Sequence, residues 1–264
     1  MLRVMTLNIW NILTDWPDRR TEIVAWIDRL EPDIVSLQEV IESNDGQNQA
    51  RWIAEAAAAD YHVAYAGEKL WSDIGLFGNA VLSRWPIDAE HSMPLAGETV
   101  ADDVRRCILH VRTGGHDIFS THLNWKFDDG ITRETQVQEV DAFITEHADP
   151  TAALPPVLAG DFNADPDSTE IRFLSGLATL GGRSVYYQDA WRVAGSRGPG
   201  WTWDNRNPYA HLVRESDRRI DYVFVGWRHD AKGRVEAARV VCDRVLTKTF
   251  ASDHLGLLAD IATD

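Results

Sequence analysis

The sequence lacks the features that mark a secreted or membrane-inserted protein. Its 264 residues hold only 2 cysteines, Cys107 and Cys242, too few for a disulfide framework. Both lie in apolar runs, where a reduced and packed thiol is expected. The N-terminus has no basic stretch followed by an apolar run and a cleavage site, and no segment approaches the roughly 20 apolar residues of a membrane span. These absences predict a cytoplasmic protein without membrane insertion.

Positive charge is also scarce. The chain has 26 Lys and Arg against 41 Asp and Glu, a formal net charge of -15. Proteins that hold nucleic acid nonspecifically neutralise phosphates with Lys and Arg, so a broad nucleic-acid surface is disfavoured. The pairs Arg105-Arg106 and Arg218-Arg219 still allow a local basic rim. A nucleic-acid substrate therefore stays open, but charge does not favour it.

Repeats, low-complexity tracts and long linkers are absent as well. With 44% hydrophobic and 25% charged residues, the composition is that of a globular protein able to bury a sizeable core. We predict a single domain over residues 1–264, with a monomer as the default state.

Short apolar runs dominate what is present. Ten of them are typical of strands: "RVMTLNIW", "DIVSLQEV", "YHVAYAGE", "GNAVLSRW", "RCILHVRT", "HDIFSTHLN", "PPVLAGDFN", "RIDYVFVGW", "VEAARVVCD" and "HLGLLADI". Helical spacing appears from Ile23 to Leu30, from Trp52 to Ala57 and from Val137 to Ile144. Since strands outnumber helices and do not alternate strictly with them, packed sheets flanked by helices are favoured over a doubly wound parallel sheet.

Polar side chains interrupt or end several of these runs. They are Asn8, Gln38, Glu39, His122, Asn124, Asp161, Asn163, Asp221, Asp253 and His254. Acids and amides are costly to bury unless they are paired, hydrogen-bonded or bound to metal. Each one alone also fits an ordinary turn or capping residue, and "LAGDFNADPD" around Asp161 has the composition of an acidic turn. Together they indicate a common polar centre.

The chemistry that fits this set is hydrolysis of a phosphate ester. Glu39 and Asp253 are hard oxygen ligands suited to Mg²⁺ or Mn²⁺, and Asn8 can donate an oxygen or hydrogen-bond a phosphate. Zinc is the weaker choice, because Cys₂His₂ spacing is absent.

The remaining members of the set suit proton transfer and phosphate binding. Asp161 can accept a proton from the attacking water, in a turn that we expect to be solvated. His122 and His254 can donate hydrogen bonds to phosphate oxygens, and Asp221 can hold His254 in one tautomer.

In these motifs the chain resembles the endonuclease/exonuclease/phosphatase superfamily, which includes DNase I and exonuclease III. The ordered set "TLNIW", "LQE", "STHL", "GDFNA", "RIDYVF" and "SDH" carries the resemblance nearly from end to end. It implies an α/β (α+β) fold, a four-layer αββα sandwich of two mostly antiparallel sheets packed face to face and flanked by helices. It also implies Mg²⁺-dependent phosphoester hydrolysis at one end of the sandwich.

Site roles follow from the resemblance by position. Glu39 corresponds to the principal metal ligand, with Asp253 and Asn8 in support. Asp161 with Asn163 would position the nucleophilic water, and the pair of Asp221 and His254 would contact the scissile phosphate, beside the catalytic His122. The resemblance and the strand contexts add weaker substrate-binding candidates, which are Asn79, Arg106, Asn124, Thr202, Trp203 and Asn205.

The motifs are most similar to the branch that holds tyrosyl-DNA phosphodiesterase 2, the deadenylases and their bacterial relatives. The substrate stays open among nucleic-acid ends, nucleotides, inositol phosphates and lipids, and so does monoester against diester. A non-enzymatic scaffold of the same fold is the other class of function. It is disfavoured because Glu39, Asp161, Asp253 and His254 are all present.

Overall fold

The strands form two six-stranded sheets. The computed structural model describes residues 1–69, 75–97 and 105–263. Sheet A has the order β11-β12-β1-β2-β4-β3 and sheet B the order β5-β6-β7-β8-β10-β9. Their strands are β1 (Leu2–Asn8), β2 (Ile34–Ser43), β3 (His62–Lys69), β4 (Gly75–Ser83), β5 (Ile87–Pro94), β6 (Cys107–Thr113), β7 (His116–His122), β8 (Val157–Asp161), β9 (Tyr187–Asp189), β10 (Asp221–Gly226), β11 (Val235–Val241) and β12 (Gly256–Ile261).

Each sheet has one parallel pair at its centre, β1 with β2 and β7 with β8. The other pairings are antiparallel. The carboxyl ends of the four central strands therefore meet at one end of the sandwich. The antiparallel neighbours β12 and β10 begin at that same end, since Thr6 pairs with Leu257 and Asp161 with Asp221. Loops from both sheets are brought together there.

The two sheets pack face to face over a shared core. Val4 and Ile34 of sheet A belong to one buried cluster with Leu109 and Ala159 of sheet B. Alternate residues along each strand point to opposite faces, so the central strands also present an outer apolar face that needs a cover.

Helices supply that cover. They are α1 (Trp16–Leu30), α2 (Gln49–Ala56), α3 (Gly130–His147), α4 (Thr169–Leu174), α5 (Ala190–Ala194) and α6 (Pro208–His211). Helices α1 and α2 cover the outer face of sheet A, where Ile23 and Ile53 pack with Leu37. Helices α3 and α4 cover the outer face of sheet B. The predicted four-layer sandwich is confirmed.

Cys107 and Cys242 are both buried free thiols, as predicted. Among the described residues, none of the helices combines the length and the apolar character that a membrane crossing requires.

Candidate active site

The polar strand ends meet around a cavity of ≈ 600 Å³ at the end of the sandwich where the parallel pairs terminate. Most of the side chains that the sequence selects line it, namely Asn8, Glu39, Arg106, His122, Asn124, Asp161, Asn163, Trp203, Asp253 and His254. They come from both sheets. The cavity therefore spans the junction between sheet A and sheet B.

Asp161 ends β8 and is fully buried. The expectation of a solvated turn is wrong, because its carboxylate is enclosed by donors. Its Oδ1 accepts a hydrogen bond from the Asn163 backbone N–H at 2.8 Å, and its Oδ2 accepts one from Asn8 Nδ2 at 3.0 Å. Burial and the charge of Asp221 raise the pKa of Asp161 to about 6. A carboxylate with that pKa is suited to accept a proton near neutral pH.

Gly160 explains how β8 carries Asp161 to this place. A Cβ at Gly160 would lie 2.0 Å from the backbone oxygen of Thr121, its partner in β7. Only glycine permits this approach of the two parallel strands.

Asn163 stands at a backbone turn beside Asp161. Its φ of 51° lies in the left-handed region, which Asn tolerates better than most residues. Its side-chain Nδ2 donates to the carbonyl of Leu123 at 3.1 Å and lies 3.0 Å from Nε2 of His122. Asn163 thus joins the end of β8 to the end of β7.

His254 lies between two carboxylates. Its Nδ1 is 2.9 Å from Asp221 Oδ2, and its Nε2 is 3.7 Å from Asp161 Oδ2. Burial lowers the pKa of His254, but Asp221 and Asp161 outweigh that effect and raise it to about 10. The ring is therefore an imidazolium at neutral pH. Trp203 meets it edge to face at 5.1 Å between ring centroids.

Asp221 acts through His254, since it does not itself line the cavity. It is fully buried at the start of β10. Thr202, expected to touch substrate, also lies behind the wall. Its hydroxyl accepts hydrogen bonds from the backbone N–H groups of Ile220 and Asp221, both at 3.1 Å. Thr202 thereby fixes the start of β10.

His122 is the neutral histidine of the site. Its Nδ1 is 3.0 Å from Arg106 Nη1. Asn163 Nδ2 lies 3.0 Å from the other ring nitrogen, Nε2. That nitrogen is 3.4 Å from Asp161 Oδ2. Burial, with the charges of Arg106 and His254, holds the pKa of His122 well below its usual value.

Glu39 reaches the cavity through a bulge in β2. The register against β4 shifts between Leu37 and Val40, and Glu39 has a φ of 59°. Its Oε1 accepts a hydrogen bond from Asn8 Nδ2 at 3.2 Å, and its Oε2 accepts one from Asn11 Nδ2 at 2.7 Å. Strained conformations of this kind cluster at functional sites.

Asp253 supplies the second carboxylate on this side of the cavity. Ser252 Oγ donates to its Oδ1 at 3.0 Å, and Asn207 Nδ2 donates to the carbonyls of Ser252 and Asp253 at 2.7 and 3.0 Å. Burial and the charge of Glu39 raise the pKa of Asp253 to about 7, although His254 opposes this.

A divalent cation fits between these groups chemically. Glu39 and Asp253 are carboxylates that line the same cavity, the charge of Glu39 raises the pKa of Asp253, and Mg²⁺ or Mn²⁺ binds through carboxylates. Asn8 presents its Nδ2 to Glu39 and Asp161, while its Oδ1 accepts from the Trp10 N–H at 2.9 Å. To act as a metal ligand, Asn8 would therefore have to rotate its amide so that Oδ1 faces Glu39 and Asp161.

A second set of potential ligands, Asp161, Asp221 and His254, has ligand atoms within 4.8 Å of one another. Its members already pair with one another, since His254 faces both carboxylates. We therefore interpret this trio as a hydrogen-bonded catalytic group.

Besides Thr202, two more of the weaker candidates lie outside the cavity wall. Asn79 donates to the carbonyl of Cys107 at 2.9 Å and is buried between the sheets. Asn205 donates to the Glu215 carbonyl and to Asp217 Oδ1, at 2.8 and 2.7 Å. Asn79 thus links β4 to the start of β6, and Asn205 holds the loop of Glu215 and Asp217. Asn124 does line the cavity, while its Nδ2 donates to Asp129 Oδ2 at 2.9 Å.

Sequence reasoning missed the residue that shapes one wall. Arg19 in α1 is fully buried, and its guanidinium donates to the carbonyls of Ile9, Trp10, Asn11 and Leu13. These bonds hold the loop that carries Asn11 to Glu39. No local pattern distinguishes Arg19 from a solvated helix residue.

The mouth of the cavity was missed as well. It is lined by apolar side chains that stay partly exposed, which are Ile12, Leu13, Trp125 and Phe127. The guanidinium of Arg218 lies 4.4 Å from the ring centre of Phe127. Exposed aromatics have no periodicity, so the sequence gives no signal for their shared position.

The model of the "Endonuclease/Exonuclease/phosphatase family" matches residues 5–254. No curated protein matches.

Solved structures of the same fold cover nearly the whole chain. A family protein from Leptotrichia buccalis C-1013-b has a TM-score of 0.74 at 19% identity, covering 99% of this chain and 100% of its own. One from Beutenbergia cavernae DSM 12333 has a TM-score of 0.69 at 28% identity, covering 98% and 71%. Truncated Caenorhabditis elegans TDP2 has a TM-score of 0.69 at 19% identity, covering 98% and 97%.

Proposed function

Because the chain belongs to the endonuclease/exonuclease/phosphatase family, whose members are generally metal-dependent hydrolases of phosphate esters, we propose that it is a Mg²⁺- or Mn²⁺-dependent phosphodiesterase. One observation supports this above all. A buried Asp161 with a pKa raised to about 6 faces an imidazolium, a neutral histidine and, across one cavity, the carboxylates of Glu39 and Asp253.

Asp161 is the proton acceptor in this proposal. Asn8 and the Asn163 N–H hold its two oxygens in place, and the carboxylate takes a proton from the attacking water. Its raised pKa matches a base that works near neutral pH.

His254 binds the phosphate. Asp221 holds its Nδ1, so Nε2–H is the donor available to an oxygen of the phosphate, where negative charge develops during the reaction. His122, kept neutral by burial and by the charges of Arg106 and His254, lies beside Asp161, with its Nε2 3.4 Å from Asp161 Oδ2.

Glu39 and Asp253 would hold the divalent metal, with Asn8 beside them. When bound, the ion supplies positive charge that offsets charge on the phosphate and lowers the pKa of a bound water.

The test uses bis-p-nitrophenyl phosphate with Mn²⁺. We expect Asp161→Asn to lower kcat by at least about 100-fold, because general-base catalysis contributes on that order. EDTA should stop turnover by the wild type, and added Mn²⁺ should restore it. Thermal unfolding checks that the variant is folded.

Asp167→Asn is the matched control, since Asp167 is an exposed acid of the same loop. It should keep the wild-type rate. Turnover that persists in EDTA, or in the folded Asp161→Asn protein, would contradict the proposal.

A nuclease acting on DNA or RNA ends is the second candidate. Arg106 and Arg218 line the cavity, and exposed Trp125 and Phe127 lie where a base can stack. Rates on single-stranded DNA, RNA, a phosphotyrosyl ester of DNA, inositol phosphates and sphingomyelin, measured with Mg²⁺, distinguish it from a small-molecule or lipid phosphatase. Failure on every ester would favour the non-enzymatic scaffold.

A further inference from the structure

Three histidines meet on the outer face of sheet B. His91 of β5 lies directly opposite His110 of β6, and His147 ends α3, which covers this face. Ring centroids are 4.6 Å apart for His91 and His147, 5.7 Å for His91 and His110, and 5.9 Å for His110 and His147. One nitrogen from each ring lies within 4.8 Å of the others. None of the three lines the catalytic cavity.

His110 carries an unusual polar atom. Its side chain is only 3% exposed, and its Nε2 is 2.9 Å from Asp117 Oδ1. Its other nitrogen, Nδ1, is buried and has no hydrogen-bond partner. Leaving a buried polar atom without a partner costs free energy unless something binds it.

Asp117 fixes which nitrogen of His110 is available. The carboxylate accepts hydrogen bonds from Arg112 Nη1 and from the Asp149 backbone N–H, at distances between 2.9 and 3.2 Å. An acceptor so arranged takes the hydrogen of His110 Nε2, which leaves a lone pair on Nδ1. Metal-binding histidines are oriented by carboxylates in this way.

We propose that His91, His110 and His147 bind a Zn²⁺ ion, with Asp117 as the positioning residue for His110. Three imidazoles leave a fourth position open to water, and imidazole ligands suit Zn²⁺ rather than Mg²⁺. A tetrahedral Zn²⁺ needs ligand nitrogens about 3.4 Å apart. The rings of His91 and His147 are stacked at 19°, so both would have to turn to reach that distance, and His91 is exposed while His147 is half-buried.

The site would have a structural consequence. Within the described parts of the chain, strand β5 is an edge strand that pairs only with β6, and most of its side chains are exposed. The bound ion would tie β5 to β6 and to the end of α3. This inference does not depend on the proposed phosphodiesterase activity.

The test is a Zn²⁺ titration of the whole protein against a competing chromophoric chelator, with excess Mg²⁺ to saturate oxygen ligands. His91→Ala and His147→Ala should each weaken Zn²⁺ binding by at least about tenfold. Zn²⁺ should raise the Tm of the wild type and leave the Tm of the His91→Ala, His147→Ala double variant unchanged. Phosphodiesterase activity with Mg²⁺ should stay the same.

His62→Ala and His229→Ala are matched controls, because both residues are exposed histidines outside the cluster. They should bind Zn²⁺ as the wild type does. Asp117→Asn should weaken binding by about 10- to 100-fold with His91 and His147 intact, and tetrahedral Co²⁺ absorption should fall in parallel. Equal Zn²⁺ binding by the wild type and the His91→Ala, His147→Ala double variant would overturn the proposal.

Discussion

At the scale of single residues, the site is built on strained backbone. Trp10, Asn11, Glu39 and Asn163 line the cavity and have φ between 39° and 59°, the left-handed region that disfavours side chains. Such a conformation costs about 1–2 kcal/mol in most non-glycine residues and less in Asn. Neighbouring contacts, such as those of Arg19, must therefore stabilise it. Among the described residues, four of the nine non-glycine residues with positive φ line this cavity, and strained backbone of this kind clusters at functional sites.

Two variants of Glu39 that both lack the carboxylate can measure the free-energy cost of its backbone conformation. Neither Glu39→Ala nor Glu39→Gly retains the acid, so both should lose phosphodiesterase activity. Glu39→Gly should nevertheless be the more stable, by about 1 kcal/mol, because glycine adopts positive φ without a steric penalty. Urea unfolding of the two variants measures the difference.

Glu90 provides the matched comparison, since it is an exposed acid of β5 and is not among the positive-φ residues. There the Gly variant should be less stable than the Ala variant. If Glu39→Gly were also less stable than Glu39→Ala, the bulge at Glu39 would be unstrained.

Residue identities in the site were accessible from the sequence, but their physical states were not. Acids and histidines at strand ends predicted the meeting of Glu39, Asp161 and His254 in one cavity. The burial of Asp161 depends on donors from other strands, Asn8 among them. Such environments arise from contacts distant in sequence, which no local pattern encodes.

At the scale of elements, apolar runs predicted most strands, whereas exposed strands and very short helices or strands had no such pattern. The ten runs correspond to ten strands, while β5 and β9 were missed. Most of β5 is exposed, so it lacks an apolar signal, and β9 has only 3 residues. The helices α4, α5 and α6 are too short for a helical period to appear.

An ion network joins three strands of sheet A. Asp260 of β12 accepts hydrogen bonds from Arg3 of β1 at 2.8 Å and from Arg239 of β11 at 3.0 Å. Burial raises the pKa of Asp260, but these bonds outweigh it and lower the pKa below its usual value. The Asp260 carboxylate therefore stabilises the fold at pH values above its unfolded pKa of about 4. This stabilisation is lost as the pH falls through the lower pKa that Asp260 has in the folded protein.

Asp260→Asn should lower the free energy of unfolding at pH 7 by up to about 1 kcal/mol, a modest amount because the network is partly solvated. The difference from wild type should vanish as the pH is lowered through the acidic range. Thermal melts over that range measure it. Asp243→Asn, which removes an exposed pair with the adjacent Arg244, should show no such pH dependence. A constant difference at every pH would assign the effect to packing.

At the scale of the whole molecule, charge opposes long polyanions. The net charge of -15 repels nucleic acid at a distance, whereas Arg106 and Arg218 act only inside the cavity. Salt screens repulsion as well as attraction, over about 10 Å at 0.1 M. Salt dependence therefore reports which of the two controls substrate approach.

We expect single-stranded DNA to inhibit hydrolysis of bis-p-nitrophenyl phosphate only weakly, and we expect added NaCl not to weaken that inhibition further. Inhibition by a nucleoside monophosphate is the control. Because this ligand carries little charge, added NaCl should change its inhibition less than it changes inhibition by DNA. Tight inhibition at low salt that falls steeply with NaCl would instead indicate a nucleic-acid surface of the kind that releases counterions.

The path of the chain through the two sheets has a consequence during synthesis. Strands β5 to β10 make up all of sheet B, whereas sheet A combines β1 to β4 with β11 and β12. On the ribosome, the half of the site with Asp161 can be assembled while Asp253 has yet to be translated. Glu39 is translated early, but sheet A beside it is incomplete until β12 inserts between β1 and β11. A nascent chain would therefore hold the proton acceptor without the complete metal-holding side, so the proposed hydrolase stays inert until its last strands are made.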